Sequence, residues 1–130
     1  MVNKKYLKTL FKIISPRIAS QICGVGLLDA VSINTIMSFV DENDSDGDGI
    51  SGKINHVIDD QTGQQGIGKF GWKAGKTSLL NQNATAFVND MGITSDIFPD
   101  QSCAPAQTDC LNAAEGGNPE IIWDRLKDVT

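Results

Sequence analysis

No run of apolar residues in this sequence approaches the roughly 18 needed to cross a bilayer, so no membrane span is expected. Cysteine is scarce, and none of Cys23, Cys103 and Cys110 belongs to a CxxC pair, which removes zinc ribbons and thioredoxin-type chemistry. The single histidine, His56, cannot support a serine triad. Gly24-Val25-Gly26 lacks the third glycine of a dinucleotide fingerprint, and Gly71-Trp72-Lys73 is no phosphate loop. Lys4, Lys5, Lys8 and Lys12 are not interleaved with stacking aromatics, so no nucleic-acid partner is expected.

What is present is glycine and local acidity. A length of 130 residues suggests one domain at most, and thirteen glycines imply that turns and loops take up much of it. Its core should be thin and lean on neighbouring chain, metal or cofactor. Asp41, Glu42, Asp44, Asp46 and Asp48 supply five of the sixteen acidic residues, and the remaining eleven balance eleven bases. Such concentrated charge calls for a cation. Asp44-Ser45-Asp46-Gly47-Asp48-Gly49-Ile50 fits the opening of a calcium loop. Alternating carboxylates converge on one point, and glycine at the sixth place allows the sharp turn. Asp44, Asp46 and Asp48 would be side-chain ligands and Ile50 would offer its carbonyl. Asn55 stands at the twelfth place, where an EF-hand has a bidentate glutamate. The alternative is a solvated acidic turn.

Periodicity gives a coarse outline. Ser32 can cap a short helix whose Ile33, Ile36, Met37 and Val40 share a face. Residues 54–71 read as an irregular hairpin turning at Asp60-Gln61-Thr62-Gly63. Thr77 or Ser78 can cap the clearest helix, with Leu80, Ala84, Phe87, Val88 and Met91 as its apolar stripe and Gly92 as its stop. Asn118 and Pro119 suit the start of a last helix lined by Ile122, Leu126 and Val129. Cys103 and Cys110, with six residues between them, suit a disulfide-closed loop in an oxidising compartment; two free thiols are the alternative. Cys23 reads as a small buried residue. The first 14 residues are a poor secretory signal, interrupted by Lys8 and Lys12.

Several segments, in order, carry a resemblance. They are Ser15-Pro16-Arg17-Ile18-Ala19, Gly24-Val25-Gly26-Leu27-Leu28-Asp29-Ala30, and the run from Gly47 to Asn55. Gly68-Lys69-Phe70-Gly71-Trp72-Lys73-Ala74, Asp90-Met91-Gly92-Ile93-Thr94-Ser95, the cysteine pair and Pro119-Glu120 follow. Together they resemble the di-haem oxidoreductase family, peroxidase-like proteins related to bacterial cytochrome c peroxidases and sometimes labelled thiol oxidoreductases. The resemblance implies a mostly α, loop-rich fold of short helices, with the acidic loop and a small hairpin. It implies c-type haem, peroxide reduction, an electron-donor protein and a periplasmic or secreted location for a full-length parent.

Family members attach haem through CxxCH, and this sequence has none. A c-type haem needs two thioether cysteines and an axial histidine. Residues 15–130 are therefore expected to be a partial domain, preceded by a poorly defined segment 1–14, with haem-bearing flanks missing. The resemblance gives Trp72 the place of an electron-relay tryptophan; a packing tryptophan on a glycine-rich turn is the alternative. It sets Gln82 beside the peroxide-binding haem. It gives Asp90 the place of a carboxylate that moves protons, although on a regular helix Asp90 projects about 80° from Gln82 and can instead cap or pair locally. His56 reads as a surface or hydrogen-bonding residue and Met91 as core. A stand-alone calcium-binding module of the cell envelope, without catalysis, is the competing reading.

Overall fold

The computed structural model describes Ile18 and residues 23–130. The segment 1–14 and most of the first resemblance block, Ser15 to Ala19, lie outside the described residues apart from Ile18.

Among the described residues, two short helices come first. α1, Val25–Ala30, springs from Gly24, whose φ of 82 is accessible to glycine at little cost. α2, Ile33–Met37, is capped by Ser32, whose hydroxyl accepts from the Thr35 N–H at 3.1 Å. The acidic loop follows, closed at its base by paired backbone bonds between Asp41 and Gly52 of 3.1 and 2.8 Å. β1, His56–Ile58, then pairs antiparallel with β2, Gln65–Ile67, with Val57 opposite Gly66. Phe70 and Lys76 bridge across the glycine-rich turn between them.

α3, Leu79–Ala86, starts at Ser78, whose hydroxyl accepts from the Asn81 N–H at 3.2 Å. It does not continue as a regular helix. Phe87–Met91 forms a π-helical turn, and Gly92, at φ 67, ends it. α4, Thr108–Leu111, contains Cys110, which is disulfide-bonded to Cys103 across a Cα–Cα distance of 5.9 Å. α5, Trp123–Asp128, packs on α3, as does α1.

The expectation of a mostly α chain is corrected: among the described residues helix accounts for 31% and strand for 11%. The described α-helices run from four to eight residues. The physical reason lies in the composition. Asp, Asn, Ser and Thr side chains bond nearby backbone amides and hold turns that compete with helix, and helices this short gain little from propagation. Asp41, Asp44, Asp46, Asp48 and Asp59 all accept backbone N–H groups within five residues.

The last helix also differs from expectation. It begins at Trp123 rather than Pro119, and the Trp123 N–H is taken by the carboxylate of Asp96, far away in sequence. Residues just before it run extended instead, with Ile121 bridged in parallel to Ser95. Among the described residues the apolar core is Phe70, Leu79, Ala84, Val88 and Leu126. Met91, expected inside, is exposed because the π turn rotates it off the buried face, and Cys23 is exposed as well. An open cleft of about 320 Å³ lies between α2 and the hairpin, lined by Leu28, Ile36, Phe39, Val40, Ile54 and Ile67 among others.

Candidate functional site

The turn that carries Trp72 is built by close backbone approach. A Cβ at Gly68 would lie 1.8 Å from the Ala74 carbonyl oxygen, so only glycine lets these strands of chain meet. Gly71, Lys73 and Ala74 all have positive φ, of 73, 57 and 49. That conformation is costly for the two non-glycine residues. Asn55 holds it: its side-chain amide donates to the carbonyls of Lys73 and Ala74 at 3.0 and 3.1 Å.

Trp72 projects outward from this turn, 68% exposed, with its indole N–H bonded to the Ile18 carbonyl at 3.2 Å. Gln82, on the second turn of α3, reaches the same turn from below. A Cβ at Gly71 would come within 2.7 Å of Gln82 Oε1. The side chain of Gln82 therefore lies against the residue that precedes Trp72, and the two expected site residues share one neighbourhood.

Asp90 stands further on, in the π turn and exposed. Its side chain makes no hydrogen bond among the described residues, and none links it to Gln82. The π turn changes the angle that a regular helix would set between them. His56 is exposed on β1, opposite Ile67.

The acidic loop brings together a different set from the one its spacing suggests. Ligand oxygens of Asp41, Asp44 and Asp46 lie within 4.8 Å of one another. Asp48 is turned to the Ile50 N–H at 2.8 Å, and Asn55 is engaged at the Trp72 turn. Asp41 was absent from the expected ligands because it precedes the repeat. It is drawn in by the Asp41–Gly52 closure. The backbone N–H and then the hydroxyl of Ser45 hold its carboxyl below the ordinary 3.8, against a small opposing effect of burial.

Sequence reasoning missed the most densely bonded polar group. Asp59 accepts from the Gln61 and Thr62 N–H groups and the Thr62 hydroxyl on one oxygen. Its other oxygen accepts from the Thr77 hydroxyl and from Asn81 Nδ2. Burial pushes its pKa up, but the bonds from Thr77, Thr62 and Asn81 outweigh that and leave it lowered. Beside it Lys76 pairs with Asp60 at 2.6 Å. The local signal was Asp59 three residues before Thr62, an Asx-type turn. The partners at 77 and 81 carry no signal that links them to a hairpin.

Residues 4–114 match the family described as di-haem oxidoreductase, putative peroxidase. The chain belongs to this di-haem oxidoreductase family. No curated protein and no solved structure matches it.

Covalent haem does not fit the residues present. Cys103 and Cys110 are bonded to each other, and Cys23 stands alone and exposed. The one histidine belongs to the hairpin and follows no cysteine pair. Thioether attachment needs two free cysteines spaced around two residues, followed by histidine.

Proposed function

We propose that the chain is an internal piece of a larger c-type di-haem oxidoreductase, its haems anchored by residues outside these 130. Residues 15–130 then form a partial domain, and the parent passes electrons from a donor protein to peroxide or a similar acceptor. The family match carries the oxidoreductase reading. The thin core and the open apolar cleft support a chain completed by flanking, haem-bearing polypeptide. In that setting Trp72 is the relay side chain, Gln82 orients the acceptor and Asp90 handles protons. The disulfide supports a periplasmic or secreted location, and no helix among the described residues is long and apolar enough to cross a membrane.

The test has two arms. DNA flanking the reading frame is expected to encode CxxCH on at least one side. The 130-residue chain, produced with a haem-maturation system, is expected to emerge colourless, with no covalently bound haem. A coloured chain with stoichiometric iron and activity of its own overturns the reading.

A second reading, a calcium-binding envelope module without catalysis, draws on the convergence of Asp41, Asp44 and Asp46. Under it, calcium alone drives cooperative folding of the haem-free chain, and Asp44→Asn weakens that response. A chain that is indifferent to calcium removes it.

A further inference from the structure

Glu120 belongs to none of the sites above, yet its carboxylate ties three segments together. Its Oε2 accepts from the Thr94 N–H at 2.9 Å, the Thr94 hydroxyl at 3.3 Å and Gln101 Nε2 at 3.3 Å. Its own N–H donates back to Thr94 Oγ1 at 3.1 Å, and the Ile121 N–H donates to the Thr94 carbonyl at 3.0 Å. Thr94 is 3% exposed and Ser95 fully buried, so the far end of this clasp is fixed in the interior.

The second arm leads to the π turn. Gln101 Nε2 also donates to the Gly92 carbonyl at 2.8 Å. Gly92 is the left-handed stop of the turn, with its N–H returned to the Phe87 carbonyl, and the Ile93 N–H donates to that same carbonyl at 2.9 Å. A π turn is a rare, poorly self-supporting form. Asp90 has no side-chain bond of its own among the described residues, so its placement is set by the backbone of the π turn and of the exit that follows it. That backbone is held at Gly92 and at Thr94, and both holds converge on Glu120.

We propose that Glu120 is a positioning residue for Asp90, acting through Gln101 on Gly92 and directly on Thr94 to fix the exit of the π turn. This rests on the reading of Asp90 as the proton-handling carboxylate of the parent enzyme. It gives a physical role to Pro119-Glu120, which the resemblance singles out without one.

The experiment is NMR on the full 130-residue chain. Glu120→Ala and Gln101→Ala are each expected to shift the amide and carboxyl resonances of Asp90 through Ile93. Each should also speed hydrogen exchange at Ile93 on the order of tenfold, the effect of losing one charge-assisted bond. Because the Gln101 arm is shared, the effect of the double variant should fall short of the sum of the two single ones. Glu120→Gln, which keeps an acceptor oxygen in place, should restore most of the native spectrum. Gln101 contacts no core residue through these bonds, so its variant provides a readout even if Glu120→Ala unfolds. Resonances of Asp90 to Ile93 that superimpose on the native ones in Gln101→Ala overturn the proposal, as does simple additivity. Asp90→Asn in the haem-loaded parent tests the Asp90 reading separately: unchanged peroxide reduction there would sink that role while leaving the clasp intact.

Discussion

Asn81 and Asp59, twenty-two positions apart, are joined by a bond of 2.7 Å from the amide of one to the carboxylate of the other. Asn81 is only 1% exposed, and the same Nδ2 also serves the Thr77 hydroxyl at 2.8 Å. Two acceptors thus fix the amide orientation, and Oδ1 is left with no donor among the described residues. The pair pins the hairpin turn to the start of α3, the element on which Gln82 rides.

Asp59→Asn should therefore lower stability by about 1.5–3 kcal/mol, the range for bonds to a charged group, as read by urea unfolding near neutral pH. The pH dependence has a definite sign. The folded carboxyl titrates below its ordinary 3.8. Its contribution is complete above that value and is lost as pH falls through the lower, folded pKa. The variant should show a flatter acid limb than the native chain. An acid limb of equal steepness in both would show that Asp59 is not the responsible group.

Leu126→Ala removes the largest fully buried side chain among the described residues. It should cost about 2–5 kcal/mol, the range for emptying a core site. With so few buried apolar residues the loss should be visible as a shifted thermal midpoint, and an unchanged midpoint would mean that α5 does not contribute to the core.

Gly68→Ala and Gly26→Ala form a contrasting pair. At Gly68 the new methyl meets the Ala74 carbonyl oxygen at 1.8 Å, so the Trp72 turn must shift, at a cost of about 1–3 kcal/mol or more. At Gly26, inside α1, nothing among the described residues lies within 4 Å. There alanine should stabilise by about 0.5–1 kcal/mol through helix preference. Matched denaturation curves of the two variants check the order, and Trp72 fluorescence should change only for Gly68→Ala.

Reducing the Cys103–Cys110 disulfide, or replacing both cysteines by serine, should cost about 2 kcal/mol, the low end for a small closed loop. Limited proteolysis should then cut first between residues 103 and 110. A reduced chain as resistant as the oxidised one would show that the loop is held by other contacts.

Sequence and structure agree best where one residue decides locally. Ser32 and Ser78 cap their helices because a hydroxyl just ahead of an apolar turn meets the free amides. Gly92 stops its helix because φ 67 suits glycine. The resemblance gave Trp72 and Gln82 separate roles, and the nearness of Gln82 to the turn that carries Trp72 had no signal in the local pattern. What stayed hidden is long-range. Asp96 reaching Trp123, Asn81 reaching Asp59 and Glu120 reaching Thr94 join residues with no shared period. The π turn was hidden too, since an apolar stripe of helical period cannot reveal one inserted residue. The acidic repeat named Asp44 and Asp46 but not Asp41, because chain closure rather than spacing brings Asp41 in.

The backbone pair between Asp41 and Gly52 separates what happens inside the loop from what happens below it. With both ends fastened, each doubling of the enclosed length adds only about 0.6 kcal/mol of closure entropy. Residues 42–51 are accordingly an exchangeable cassette. A peptide tag, a lanthanide-binding sequence or a longer natural insertion can be spliced there while the hairpin and the Trp72 turn keep their register.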